Sequence, residues 1–270
     1  MKQLLAGLCL MVLAQSAMAQ TADNPLIEGE TWQWLREQVT GDTVLLDGAG
    51  LFAVSAPYRA EDAATVPVAI EQTDASAGPI TALKLVIDEN PSPLAAEIRF
   101  GPAMHPLKFE TRVRVNAYSN IRVIAETATG SYMTGRYVKS AGGCSAPATK
   151  DPAAALANMG EMKLRLFGAP PAPAMSTARR EAQIMIRHPN YTGLQRDAVS
   201  LLFINAHFIS TLEVRQGDDL LFAMQGGISI SENPVFRFSY ADNGAPSLTV
   251  HAVDTEGNVF DQVLPKMPPA

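Results

Sequence analysis

Arg112-Val113-Arg114-Val115 sets apolar side chains on one face of an extended chain and charged ones on the other. The same period of two returns in Met162-Lys163-Leu164-Arg165-Leu166-Phe167 and in Phe236-Arg237-Phe238-Ser239-Tyr240. Short runs of this kind follow one another through the first half. They are Val44-Leu45-Leu46 before the Asp47-Gly48 turn, Phe52 to Pro57, Thr65 to Ile70, Ile80 to Asp88, Ala95 to Phe100, Phe109 to Val115, Asn120 to Glu126 and Tyr132 to Val138. Pro67 predicts an edge position for its run, and Asn90-Pro91-Ser92-Pro93 predicts a rigid turn. Breaks roughly every 8–12 residues predict an antiparallel β-sandwich.

The second half repeats the pattern. Its runs are Ala182 to Arg187, Phe203 to Val214, Leu220 to Met224, Ile228 to Ser231, Phe236 to Tyr240, Leu248 to Val253 and Val259 to Val263. Gly226-Gly227 and Asp254-Thr255-Glu256-Gly257-Asn258 read as turns, and His188 to Gly193 as a polar loop. Two short helices interrupt the strands. One is capped by Thr31, with Trp32, Leu35 and Val39 on one face; the other runs from Ala153 to Met159 after Asp151-Pro152 and stops at Gly160. Gly168 to Pro173 reads as a Pro-rich linker. The expected division is 1–19, 20–150, 151–175 and 176–270.

The first 19 residues carry Lys2, a short apolar run from Leu4 to Leu13 and Ala17-Met18-Ala19, the layout of a secretory signal cleaved before Gln20. The expectation is export, with no membrane attachment once the signal is gone. Processing would remove Cys9 and leave Cys144 as the single cysteine, so no internal disulfide is expected.

A net charge of −6 argues against nucleic acid or an anionic membrane surface as partner, and 47% hydrophobic residues suffice to build cores. No C-x-x-C-H, G-x-G-x-x-G, P-loop or G-x-S-x-G sequence occurs. His105, His188, His207 and His251 show no metal-ligand spacing, and Met159, Met162, Met175 and Met185 form no cluster, so neither metal nor cofactor is expected. Glu61, Asp62, Asp88 and Glu89 lie in or beside turns, where solvated or capping roles are expected.

The remaining candidate chemistry is one sulfur. In Lys139-Ser140-Ala141-Gly142-Gly143-Cys144-Ser145-Ala146-Pro147-Ala148, two glycines precede the cysteine and small residues follow it. The expectation is a slim, mobile segment that offers its thiol to another protein, the alternative being an inert packed thiol. Lys139, Lys150 and Arg136 are the nearby cations able to favour a thiolate.

Together these features resemble a known family. The strand order, Ile87-Asp88-Glu89-Asn90-Pro91-Ser92-Pro93 and Gly142-Gly143-Cys144 resemble the SoxY sulfur carrier. His188-Pro189 with Thr192-Gly193, Ile228 to Pro234 and Asp254-Thr255-Glu256-Gly257 resemble SoxZ. The whole looks like the fused SoxYZ-like carriers associated with quinoprotein dehydrogenases.

The resemblance implies two immunoglobulin-like sandwiches and a periplasmic carrier rather than an enzyme. Cys144 would hold the sulfur cargo and Gly142 and Gly143 would be its hinge. The implied partners are Sox-type sulfur-oxidising enzymes or c-type cytochromes, or a quinoprotein dehydrogenase. In the last case the chain would be an adaptor of an alcohol-oxidising system with the thiol incidental. The family arm ends the chain as Gly-Gly-Cys-Gly-Gly; here Ser145-Ala146-Pro147 follow and the chain continues.

Overall fold

Side-chain burial follows the two-residue period that the sequence predicts. In the computed structural model, which describes residues 24–147, 156–168, 179–197 and 199–267, the strand Val66–Gln72 (β3) buries every second residue, as does Val235–Ala241 (β13). The first half contains α1 (Glu30–Thr40), β1 (Leu45–Asp47), β2 (Phe52–Ser55), β3, β4 (Ala82–Ile87), β5 (Leu94–Phe100), β6 (Lys108–Val113), β7 (Ser119–Thr127) and β8 (Gly130–Val138). The second contains β9 (Met162–Phe167), β10 (Arg179–Ile186), β11 (Ile209–Gln216), β12 (Asp219–Gly226), β13, β14 (Ser247–Asp254) and β15 (Val259–Pro265).

Two sheets face each other, in the all-β, immunoglobulin-like manner expected. One has the order β1-β8-β7-β4-β5-β12-β11-β14-β15 and the other β2-β3-β6-β13-β10-β9. Among the described residues every pairing between these strands is antiparallel except β1 with β8, and the isolated bridge Arg59–Lys139 is parallel too. Both sheets run through both halves of the chain. β5 pairs with β12 from Ala96 opposite Gly226 to Phe100 opposite Phe222, and β6 meets β13 at Phe109 opposite Phe238. Edge-to-edge pairing satisfies backbone groups that two separate sandwiches would leave open at these strands. The core is correspondingly shared: the Phe109 ring lies 5.4 Å from Phe100 and 5.2 Å from Phe222, edge-on to both.

Several local expectations are corrected. Gly29, not Thr31, occupies the N-cap of α1, with no side-chain cap; Leu35 is its one buried residue, while Trp32 lies over the Arg122 guanidinium at 4.4 Å. β3 is not the sheet edge, but β2 ends at Ser55 opposite Ala69, so Pro67 has only β6 beside it and removes no ladder bond on the other side. β11 starts at Ile209, and residues 203–208 carry only the isolated bridges Arg196–Phe203 and Tyr191–His207. Ile228 to Ser231 is a turn, touching β6 through Ile230 and Val113. The signal segment, the Asp151-Pro152 cap and the linker after Gly168 fall outside the described residues, and of the helix after it only 156 and 157 are described as helical.

Candidate functional site

β8 delivers the cysteine segment to the seam between the two halves. Lys139 N–H bonds the Tyr58 carbonyl at 2.7 Å, and Gly142 and Gly143 donate their N–H groups to the carbonyls of Asn116 and Val115 at 2.7 and 3.2 Å. Cys144 N–H reaches Asn116 Oδ1 at 3.3 Å. The second half closes the other side: Thr192 Oγ1 donates to the Cys144 carbonyl at 2.6 Å and Gln195 Nε2 to that of Ala146 at 3.2 Å. Cys144 is 0% exposed.

The glycines act differently from the hinge expected of them. A Cβ on Gly143 would lie 2.1 Å from the Ala63 carbonyl oxygen and 2.7 Å from the Val115 nitrogen, so the missing side chain permits a close backbone approach. Gly142 sits at φ +77°, a left-handed conformation that glycine adopts without cost, and a Cβ there would meet only Ser145 Oγ, at 3.9 Å. The expectation of an exposed, mobile thiol is therefore corrected for this conformation. Small residues let the segment pack closely, and backbone bonds from the first half and side-chain bonds from the second hold it.

Burial pushes the Cys144 thiol up to about 11, with the Arg114 charge pulling the other way. The nearby cations read from the sequence do not supply this charge. The Lys139 ammonium lies 4.6 Å over the Tyr58 ring, Arg136 bonds the Gly135 carbonyl, and Lys150 lies outside the described residues. Arg114 comes instead from the end of β6, brought in by topology; in the sequence it read only as the wet face of an alternating strand. It is 1% exposed, with Nη1 on the Gly143 carbonyl at 3.2 Å and Nη2 on the Asn190 carbonyl at 3.4 Å.

A second constellation assembles residues far apart in sequence. His188, His207 and Asp254 are all buried, and one ligand atom from each lies within 4.8 Å of the others. His207 Nε2 is 2.7 Å from Asp254 Oδ2 and His188 Nε2 is 3.4 Å from the same oxygen. Asn258 Nδ2 donates to that oxygen too, and the backbone N–H groups of Glu256 and Asn258 donate to Oδ1 at 2.9 Å. Burial alone would raise the Asp254 carboxyl, but the bonds from Asn258 and His207 outweigh it and hold the group at about 2.

Distance alone would admit a cation here; the donor pattern does not favour one. The Asn190 N–H points at His188 Nδ1 at 3.1 Å, so that nitrogen carries the lone pair and the proton resides on Nε2, facing Asp254. Burial further disfavours a charged His188. Nε2 thus has no free pair for a metal, and the cluster is a hydrogen-bonded hub. His251 pairs with exposed Asp261 at 2.6 Å and His105 with Gln72 at 3.3 Å.

The hub and the sulfur are linked. Asn190 bonds His188, the Ser231 carbonyl and Ile209 N–H, and its own carbonyl receives Arg114. Asn90 Nδ2 reaches the Arg114 carbonyl at 2.7 Å and Ser229 Oγ at 2.9 Å, while Asn116 N–H donates to its Oδ1 at 2.8 Å. The sequence motifs of both halves, which read as separate turns, thus form one polar layer under the cysteine segment. Asp88, expected to be solvated, is 3% exposed and pairs with Arg122 at 2.9 Å, whereas Asp62 caps Ala64 and Thr65 as expected. Gln195 carried no signal in the sequence.

Comparisons with known proteins divide the chain at the same seam. The family described as "Sulfur oxidation protein SoxY" matches residues 36–144, and "Sulphur oxidation protein SoxZ" matches residues 170–265. Among solved structures, the sulfur carrier protein SoxY from Chlorobium limicola f thiosulfatophilum is similar at 23% identity, over 40% of this chain and 94% of that one, with a TM-score of 0.34. No curated protein matches. A SoxY domain and a SoxZ domain stand in one polypeptide, and the chain is a fused SoxYZ-like protein.

Proposed function

We propose that this protein is a periplasmic carrier in sulfur oxidation that binds its cargo covalently on Cys144 and hands it to partner enzymes, without itself being the catalyst. The observation that carries the reading is the place of Cys144. It follows Gly142-Gly143, it is the last residue of the SoxY match, and the SoxZ half clasps it through Thr192 and Gln195. The sealed segment is the resting state of the carrier. Loading requires residues around 142–147 to leave their bonds to 115–116, 192 and 195, which exposes the sulfur and returns its thiol toward its ordinary acidity. The thiolate then either displaces a leaving group from an electrophilic sulfur of the cargo, the leaving group departing with the bonding pair, or is coupled to an anionic sulfur species while a partner redox protein takes up the two electrons. Release proceeds by thiol exchange or hydrolysis in a partner.

Intact-protein mass spectrometry after growth on thiosulfate tests this reading. The expected result is a sulfur-containing adduct on Cys144 that is absent from Cys144→Ser. Finding Cys144 unmodified, under conditions that load an authentic SoxY, would reject it.

The full burial of the thiol favours a second reading, an adaptor in which Cys144 is packing and the partner is a quinoprotein dehydrogenase. Growth phenotypes separate the two. Cys144→Ser abolishes a carrier's function and leaves an adaptor's intact.

A further inference from the structure

Arg114 is the largest side chain among the fully buried residues, and its charge has no ordinary complement. Among the described residues no carboxylate forms an ion pair with it, and its Nε has no hydrogen-bond partner. Its two bonds run to backbone carbonyls, one of them belonging to Gly143. Burial works against its charge, while Glu232 first, then Cys144 and Asp62, favour it electrostatically without forming an ion pair with it. A guanidinium carries five donors and keeps its proton in proteins, so a permanent positive charge with unused donors sits beside the cysteine. Burying such a cation is costly unless an anion completes it.

The unmodified thiol does not complete it at neutral pH, because burial keeps that thiol protonated. A group on the sulfur that is anionic at all working pH values would.

We propose that Arg114 is the counter-charge for an anionic group carried on Cys144, so that the sealed state accepts a negatively charged adduct in preference to a neutral one. The inference rests on the carrier reading above and adds the residue that selects the charge of the cargo. The segment yields by the volume of the added atoms; Arg114 decides which kind of adduct is taken back. Thr192 and Gln195 hold only carbonyls and cannot discriminate in this way. Lys139, whose ammonium lies against Tyr58, is not the selecting charge.

The test uses the full chain with Cys9→Ser. Cys144 is modified in urea and the protein refolded, so that access to the sealed sulfur is not needed. Sulfonatoethyl methanethiosulfonate and butyl methanethiosulfonate serve as probes of similar size. In each case the Cys144 thiolate attacks the sulfenyl sulfur, a new S–S bond forms, methanesulfinate leaves with the bonding pair and the thiol proton goes to solvent. One adduct ends in a sulfonate and the other in a methyl group.

The expected result is a thermal midpoint several degrees higher for the anionic adduct. That difference should vanish in Arg114→Met and be partly kept in Arg114→Lys. A midpoint for the anionic adduct equal to or below the neutral one, in the protein with Arg114 intact, would overturn the proposal whether or not the Arg114 variants fold. A difference that persists undiminished in Arg114→Met would overturn it as well. The outcome is separable from that of the carrier reading. Cargo found on Cys144 in cells with no charge preference leaves the carrier and removes Arg114's role. An Arg114-dependent preference with no cargo in cells does the reverse.

Discussion

At the scale of single residues, two buried acids tie the fold to pH in opposite directions. Cys144 titrates at about 11 in the folded chain, against an ordinary 9.0. The folded state favours the neutral thiol, so this stabilisation is complete below about pH 9 and is lost as pH rises through about 11. Sealing should weaken by about 2–3 kcal/mol across that window. Chemical denaturation of the parent and of Cys144→Ala at stepped alkaline pH checks this, because only the parent should show the extra loss. Parallel curves would refute it.

Asp254 lies at about 2 against 3.8. Its contribution is present above about pH 4 and disappears as pH falls through about 2. Asp254→Asn should lower stability at neutral pH by about 2 kcal/mol and flatten the acid limb. An unchanged acid limb in the variant would show that the hub bears no such load.

At the scale of elements, the two adjacent glycines differ in what they tolerate. Gly143→Ala places a methyl group against backbone atoms of Ala63 and Val115, so the segment must lift and Cys144 should react faster with a thiol reagent in the native protein. Gly142→Ala makes only an ordinary contact with Ser145 Oγ, at 3.9 Å, and bears the strain of a positive φ, about 1 kcal/mol. Thr192→Val removes the bond to the Cys144 carbonyl, together with the one that Oγ1 accepts from Leu194 N–H, and should also speed labelling. Equal labelling rates in the parent, Gly143→Ala and Thr192→Val would contradict the sealing described above.

Many of the strands were legible in the sequence because burial imposes a period of two on them, although β7 buries seven residues in succession. Alternating runs such as Val66 to Gln72 need no partner to be recognised. The packing of Gly142-Gly143 was not legible. The same two letters encode freedom where nothing is near and close approach where backbone is near, and only the tertiary neighbours Ala63 and Val115 decide. Arg114 was hidden for the same reason: alternation assigns it to the wet face of its strand, where Arg112 stays exposed, and only the tertiary neighbours from both halves, Asn190 and Gly143 among them, bury Arg114.

At the scale of the whole molecule, the pairings β5 with β12 and β6 with β13 merge the halves into one cooperative unit. Calorimetry should show a single unfolding transition with matching calorimetric and van't Hoff enthalpies. Phe222→Ala, which removes a ring packed against Phe109, Phe236 and Phe238, should lower that whole transition by about 3–5 kcal/mol. Two resolved transitions, with only one moved by the substitution, would mean the halves unfold independently. Edge pairing between residues more than a hundred positions apart, such as Phe100 with Phe222 and Phe109 with Phe238, leaves no local trace, which is why the two sandwiches read as separate bodies joined by a linker.

The clasp of Thr192 on the Cys144 carbonyl lies within one polypeptide. When SoxY and SoxZ are separate chains, their encounter depends on concentration and one subunit can be exchanged for another. Here the receptor travels with the sulfur it covers, so reclosure is unimolecular, keeps the same rate on dilution, and permits no exchange of one half for a subunit from another pair.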